Sequence, residues 1–204
     1  MTGLFKLQRR RARRSFTLLE LLMVLVVTII VLALAMGGYA AMIQSSAVTT
    51  GADMISDLLS EGRTEAVAQN MEVEVRIYDL PLQPGGAAVY DALQLHWIKS
   101  DGTTPPVANL LLLSSWVVID TTSTHSPLIA SNTQAATPDA TDARLNGNTR
   151  VFHFLPDGST DLNPATNWFM TVRPASQSDP NHFPSNWGCI AVDAATGRTQ
   201  IYRP

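Results

Sequence analysis

One stretch of the sequence carries acidic side chains at a spacing that could bind a cation. Asp157 and Asp161 flank Gly158, Ser159 and Thr160, and carboxylate oxygens are ligands that Ca²⁺ prefers. A helical calcium loop needs further acidic positions and a closing glutamate, which this stretch lacks. An Asp-Gly step is also typical of a tight turn. The stretch is therefore predicted to be a turn, with calcium binding as the alternative.

The histidines and serines do not form a pattern typical of a catalytic or metal site. His96, His125, His153 and His182 are scattered, without a His-x-x-Glu-His motif or comparable ligand spacing. No serine lies in a Gly-x-Ser-x-Gly motif, and there is no glycine-rich phosphate loop. We therefore expect neither a cofactor nor a metal, and the protein is predicted not to be an enzyme.

Cys189 is the only cysteine, which excludes an intramolecular disulfide and a thiolate zinc cluster. It is predicted to be a small buried side chain in a strand. The four tryptophans are expected to pack in the core or against strands; they are Trp97, Trp116, Trp168 and Trp187.

Glu20 is a carboxylate in an otherwise apolar run. From Leu18 to Ala35 the sequence is apolar except for Glu20 and Thr28, and eighteen helical residues nearly cross a hydrocarbon core of about 30 Å. An ionised side chain within a bilayer costs at least about 2.5 kcal/mol. The pattern predicts a transmembrane helical segment over residues 16–40, in which Glu20 has a partner or a function.

The charges of the chain are divided between a basic leader and an acidic remainder. Six of the 14 lysines and arginines lie in residues 1–15, which leaves eight against 17 acidic residues in the rest of the chain. A basic flank stays on the cytoplasmic side of a membrane. We therefore expect an inner-membrane protein with its N-terminus in the cytoplasm and its head outside it. The acidic head disfavours general binding to nucleic acid.

Residues 41–70 are predicted to continue the helix with one apolar face. Apolar residues recur at steps of three and four, whereas Glu61, Arg63 and Glu65 are predicted to be solvated surface charges. The apolar positions are Val48, Ala52, Ile55, Leu59 and Ala66, with Met54 and Leu58 alongside.

Residues 71–204 are predicted to form a β-rich head, which makes the fold class α+β: a long N-terminal helix packed on a small antiparallel β-sandwich-like domain. Period-two alternation and turn residues predict the strands. The predicted strands are residues 71–78, 92–99, 110–120 (a central strand), 150–155, 168–173, 189–192 and 199–202. Residues 121–149 are predicted to be a long variable loop with at most a short strand near Leu128.

Several segments together resemble known families. The basic leader, the segment from Phe16 to Leu22 and the apolar run resemble the N-terminus of type IV pilins and pseudopilins. Residues 58–70 and the ending from Ile190 to Ile201 resemble class-H minor pseudopilins and their pilus relatives (GspH/FimT-like). Residues 75–78, 154–162, 167–169 and 202–204 resemble the pilin-like family called Verru_Chthon cassette protein D.

The resemblance implies a structural function. A prepilin peptidase would cut between Ser15 and Phe16 and methylate the new amine of Phe16, which makes Glu20 the fifth mature residue. In this family Glu20 would attract the N-terminal amine of a neighbouring subunit during assembly into a type II secretion or type IV pilus-like fibre. The residue before the cut is usually glycine in this family, and here it is Ser15.

Two alternatives remain open. The chain could be a permanently tethered extracytoplasmic binding domain whose helix is only an anchor. It could also be a minor pilin that contacts DNA through Arg198 and Arg203, although these arginines are expected to form salt bridges at a strand edge.

Overall fold

The computed structural model describes residues 17–81, 88–132, 145, 149–176 and 183–204, and the side chains of all of these except residues 35–41, 81 and 88. Ser15 and Phe16 lie outside the described residues, as do His182 and residues 133–144 and 146–148 of the predicted loop. The chain divides into two compact units, Met1–Ala41 and Met42–Pro204.

The first helix, α1, spans Leu18–Gln69. It ends at Asn70, which has a φ of 51°. The Met71 amide donates to the Ala66 carbonyl over 3.1 Å, and the Asn70 amide donates to the Val67 carbonyl over 3.4 Å. These two bonds form a Schellman motif, in which a left-handed residue satisfies the last carbonyls of a helix.

Over the residues that the structure describes, no helical segment combines the length and the apolar character needed to span a bilayer.

The described strands form two four-stranded antiparallel sheets, with orders β3-β2-β1-β5 and β4-β6-β7-β8. The strands are β1 (Val73–Pro81), β2 (Ala88–Trp97), β3 (Leu111–Leu112), β4 (Val117–Ile119), β5 (Arg150–Phe154), β6 (Trp168–Pro174), β7 (Gly188–Val192) and β8 (Thr199–Tyr202). The sheets and the C-terminal half of α1 share one buried apolar cluster. The predicted α+β class is therefore confirmed, with a helix packed on a small antiparallel sheet domain.

The apolar face predicted for residues 41–70 is confirmed. Val48, Ala52, Ile55, Leu59 and Ala66 are each no more than 1% exposed. Because they recur at helical spacing, they form one continuous strip against the sheets. This burial fixes the rotation of the helix on the head.

The predicted central strand at residues 110–120 is wrong. The segment divides into β3 and β4, each at an edge of a different sheet. Between them Val117 donates its amide to the Ser114 carbonyl over 2.9 Å, which closes a turn. The two serines in this apolar stretch favour a turn by hydrogen bonding to nearby backbone. Trp116 lies in that turn and is 49% exposed, so its prediction as a packed residue is also wrong.

The segment near Leu128, which was predicted to be loop with at most a short strand, contains a helical turn instead. The second helix, α2, spans Pro127–Ala130 with proline in its first turn. Proline lacks the N–H that a sheet ladder requires but fits the first turn of a helix. The buried hydroxyl of Ser126 accepts a hydrogen bond from the Thr171 amide over 2.9 Å, which holds the turn against β6.

Candidate functional site: the start of α1 and the polar groups of the head

The start of α1 places Glu20 in a capping motif. The Glu20 amide donates to Oγ1 of Thr17 over 3.2 Å, and the Leu21 amide donates to the Thr17 carbonyl over 3.2 Å. Thr17 is thus the N-cap and Glu20 the third helical residue, the spacing of a capping box. A carboxylate in the first turn also interacts favourably with the helix dipole. The Thr-x-x-Glu pattern before an apolar run would have predicted this cap, and our sequence reasoning missed it.

The cap engages the backbone of Glu20, whereas its side chain is exposed. Over the described part of the chain, no hydrogen bond or ion pair is formed by the Glu20 carboxylate. The other polar side chain of this apolar run, Thr28, donates its hydroxyl to the Val24 carbonyl over 2.6 Å. Glu20 therefore differs from Thr28 in having its polar group available to another molecule.

The apolar side chains of α1 from Leu18 to Leu34 are all exposed. Leu18 is 90% exposed, and the least exposed of the large ones, Val26, is still 45% exposed. Exposed apolar surface of this extent is rare on soluble monomers and marks a protein or membrane contact.

A buried polar network joins β1 and β5 on one face of their sheet. Nε of Arg76 donates to Glu74, and Nη2 of Arg76 donates to Oγ1 of Thr104 over 3.0 Å. The ring of His153 bonds to Asp161 through Nδ1 over 2.7 Å and to Glu74 through Nε2 over 3.3 Å. Every charge in this network thus has a partner of opposite sign.

The network also sets the protonation of its members. Burial lowers the pKa of His153, but its hydrogen bonds to Asp161 and Glu74 and their charges outweigh burial and raise that pKa to about 9. Burial raises the pKa of Glu74, but its bonds to His153 and Arg76 outweigh burial and lower that pKa overall. A protonated His153 between two carboxylates is a structural clamp rather than a proton carrier at neutral pH.

His153 and the buried His96 both form hydrogen bonds within the head. Nδ1 of His96 lies 2.8 Å from the Thr104 carbonyl, and its Nε2 lies 3.2 Å from the Tyr78 hydroxyl. Within the described ranges, no group of three or more His, Cys, Asp or Glu side chains has a geometry that could hold a metal ion.

The turn predicted at Asp157 is confirmed. Oδ1 of Asp157 accepts the Ser159 amide over 2.9 Å and the Ser159 hydroxyl over 2.6 Å, and Gly158 has a φ of 85°. The carboxylate of Asp161, in contrast, is hydrogen-bonded to the ring of His153. The two acids that could have shared a calcium ion therefore have different partners.

Arg63 was predicted to be a solvated surface charge, and this is wrong. Its Nε donates to the Thr196 carbonyl over 2.7 Å and to the Gly158 carbonyl over 3.2 Å. The side chain thus joins α1 to two turns that are distant in sequence. Because those turns approach Arg63 only in the folded head, helical periodicity alone could not indicate this contact.

Sequence reasoning also missed a pair of acids, Asp79 and Asp91, on neighbouring strands. The β1–β2 register shifts between Tyr78 and Asp79, so that Asp79 lies opposite Tyr90 and Asp91 is the extra residue of a bulge. Burial and the charge of Asp79 raise the pKa of Asp91 to about 6. No local motif marks this pair, because only the bulge brings the two residues together.

An open cleft of about 650 Å³ lies over one face of β6, β7 and β8. Its walls include Phe169, Arg198, Gln200 and the half-exposed Tyr202.

The salt bridges predicted for Arg198 and Arg203 are only partly observed. Arg203, which follows the edge strand β8, forms an ion pair with Asp53 of α1, with Nη2 2.5 Å from Oδ1. Arg198 forms no ion pair with a described residue.

Cys189 is a free thiol in β7 and is only partly buried, in contrast to its prediction as a buried residue.

The sequence and the structure were compared with those of known proteins. No protein-family model matches the sequence, and no curated protein matches it. Solved structures of the minor pseudopilin EpsH from the type 2 secretion system of Vibrio cholerae are similar. One has a TM-score of 0.48 at 13% identity, over 78% of this chain and 96% of its own. Another has a TM-score of 0.43 at 11% identity, over 77% and 97%.

The type IV minor pilin FimU of Pseudomonas aeruginosa is also similar in structure. Its TM-score is 0.44 at 12% identity, over 76% of this chain and 87% of its own.

Proposed function

We propose that this chain is a minor pilin-like structural subunit that assembles through its N-terminal helix into a type II secretion or type IV pilus-like fibre. A prepilin peptidase cuts between Ser15 and Phe16 and methylates Phe16. Residues 16–40 hold the subunit in the inner membrane before assembly, with the N-terminus in the cytoplasm and the head outside it. Its partners are the peptidase and other pilin or pseudopilin subunits.

The observation that carries this proposal is the exposure of every apolar side chain from Leu18 to Leu34. Each large apolar side chain gains about 1.5–3 kcal/mol when it is moved from water to an apolar environment. These side chains are exposed and therefore lack such an environment in the isolated chain. Lipid before assembly and neighbouring helices after assembly would both provide it.

Glu20 would set the register between subunits. Cleavage after Ser15 places a positive amine on Phe16, and the exposed Glu20 carboxylate of a neighbouring subunit is available to pair with it. Either charge left alone in an apolar environment is costly, so the pair favours one alignment of the helices. The cap contact to Thr17 uses only the backbone amide of Glu20 and does not compete with this pairing.

The head would contribute bulk and contact surface to the fibre rather than catalysis. The described titratable groups of the Glu74 network are paired with each other. The motifs at residues 75–78, 154–162, 167–169 and 202–204 are the basis for placing the chain near Verru_Chthon cassette protein D within the pilin-like proteins.

The N-terminus of the native protein distinguishes this function from that of a permanent tether. The full chain would be expressed with a prepilin peptidase, and its N-terminal peptide would be identified by mass spectrometry. The assembly proposal predicts N-methyl-Phe16, and an intact Met1 would support the tether.

The substitution Ser15→Gly provides a matched control, because glycine is the usual residue before the cut in the families that the sequence resembles. If Ser15→Gly is cut and the wild-type chain is not, the peptidase is active in the assay and the natural chain escapes it. That result would contradict the proposal. Cleavage of both chains supports it.

A further inference from the structure

The β-bulge between β1 and β2 places two acidic side chains close together. Asp79 pairs with Tyr90, whereas Tyr78 pairs with Ala92, so β2 has one extra residue, Asp91. Bulges re-aim side chains and are common beside functional sites. Here the bulge brings Asp91 close enough to Asp79 for the charge of one carboxylate to act on the other.

Each of the two carboxylates has a buried oxygen that no described residue contacts through a hydrogen bond. Asp91 is 5% exposed, and Oδ1 of Asp91 and Oδ1 of Asp79 are buried atoms without a hydrogen-bond partner in the described part of the chain. An unpaired buried polar atom loses the hydrogen bonds that it made to water, and the cost is larger for a charged group. Two such oxygens on residues that the bulge makes neighbours favour the binding of a cation or a proton.

No described arginine forms an ion pair with Asp79 or Asp91. Arg76 bonds to Glu74 and Arg173 bonds to Asp120. Arg150 lies close enough to Tyr90 for its charge to lower the pKa of that hydroxyl, but its Nε donates to the Ile129 carbonyl over 2.9 Å. Another carboxylate of the head has hydrogen-bond partners for its buried oxygen: Oδ1 of Asp120 accepts hydrogen bonds from both the amide and the hydroxyl of Thr122. Asp79 and Asp91 differ from these paired acids.

We propose that Asp79 and Asp91 bind a divalent cation, Ca²⁺, at the bulge between β1 and β2. Ca²⁺ is a hard cation that takes six to eight oxygen ligands, including carboxylates, backbone carbonyls and water. Two carboxylates provide up to four of these oxygens and cancel the charge of the ion. Zinc is disfavoured because it prefers nitrogen and sulfur ligands. The site is independent of the proposed assembly function.

Thermal unfolding of the full chain in detergent tests the site. The wild-type protein, first treated with a chelator and then dialysed, is heated at neutral pH with either Ca²⁺ or chelator. A ligand that binds only the folded state raises the midpoint. We expect Ca²⁺ to raise the midpoint of the wild-type chain by several degrees, and equilibrium dialysis with radioactive Ca²⁺ to give one ion per chain.

Two isosteric substitutions, Asp91→Asn and Asp79→Asn, should each remove the Ca²⁺-dependent shift. In chelator both variants should unfold at or above the wild-type midpoint, because the amide removes the repulsion between the carboxylates of the buried Asp91 and the partly buried Asp79. Asp101→Asn is the matched control, since Asp101 is exposed and bonds only locally to Thr103. That variant should keep the shift.

The competing explanation is a proton shared by the two acids. In that case acidification stabilises the chelator-treated protein, whereas Ca²⁺ has no effect on its midpoint. Either that result, or a Ca²⁺-dependent shift that persists in both Asp79→Asn and Asp91→Asn, overturns the proposal.

Discussion

Gly62 of α1 and Leu95 of β2 lie so close that no side chain fits between them. A Cβ on Gly62 would lie 2.9 Å from Cδ2 of Leu95 and 3.3 Å from Cδ2 of Phe154. Both neighbours are fully buried and have little room to move. The distance between the helix and the sheet is therefore set by the absence of a side chain at this position.

The substitution Gly62→Ala should destabilise the head. The added methyl group forces Leu95 or the helix to shift, which typically costs about 1–3 kcal/mol, offset in part by the roughly 1 kcal/mol by which a helix favours alanine over glycine. Chemical unfolding of the full chain in detergent would measure the change in the free energy of unfolding.

Gly51→Ala in the same helix is the control for Gly62→Ala. A Cβ on Gly51 would lie 3.4 Å from the nearest atom, in Val117, which is an ordinary contact. Alanine is favoured over glycine within a helix by about 1 kcal/mol. Gly51→Ala should therefore be neutral or stabilising, and equal losses in both variants would contradict the close-packing explanation.

Gly197 should tolerate alanine much less well than Gly102. Both have a positive φ, 62° and 80° respectively, and this conformation costs other residues about 1–2 kcal/mol. A Cβ on Gly197 would also overlap the Gly158 carbonyl oxygen, whereas a Cβ on Gly102 would meet no atom within 4 Å. The difference in midpoint between Gly197→Ala and Gly102→Ala measures this overlap, and equal midpoints would contradict it.

The stability of the head should fall in alkaline solution through His153. Its pKa is raised from 6.5 to about 9 in the folded state. A raised pKa means that the stabilisation is complete below pH 6.5 and is lost as the pH rises through 9. We expect a loss of roughly 1–2 kcal/mol, which allows for solvent screening of the partly exposed groups.

Unfolding of the wild-type chain and of His153→Gln between pH 7 and pH 10 would isolate this contribution. The variant should be less stable than the wild type at neutral pH, and the difference should narrow as the pH rises through 9. A constant difference across this range would show that His153 stabilises the head without its charge.

The sequence predicted those parts of the fold that rest on local periodicity. The apolar strip of α1 and the strands β1, β2 and β5 to β8 follow from repeats of about 3.6 and 2 residues, and all were placed within a few residues of their observed bounds. The predicted strand at residues 110–120 was wrong, and the helical turn near Leu128 was missed. Short apolar runs do not distinguish a strand from a turn or a helical turn.

The polar contacts of the head were less predictable, for a different reason. Arg63 reaches the Thr196 carbonyl across 133 residues, and Glu74 reaches His153 across 79. Such pairs depend on which strands and turns are brought together by the fold, which is a tertiary property. The cap at Thr17 and Glu20, in contrast, is local and was available from the sequence.

The role of Glu20 is the central claim, and two substitutions test it. Glu20→Gln keeps the size of the side chain and removes its charge, whereas Glu20→Ala removes the polar group altogether. Neither changes the cap, because Thr17 accepts its hydrogen bond from the backbone amide of Glu20. Glu61→Ala is the control, since Glu61 is an exposed carboxylate on the head half of α1. All three variants should insert into the membrane like the wild-type chain.

Co-purification of partner pilin subunits with the tagged full chain is the measurement that tests this claim most directly. We expect Glu20→Gln and Glu20→Ala each to reduce recovery of partners by about tenfold or more, which corresponds to a loss of at least about 1.4 kcal/mol, while Glu61→Ala recovers them at the wild-type level. Recovery of partners by Glu20→Gln and Glu20→Ala at the wild-type level would contradict the account.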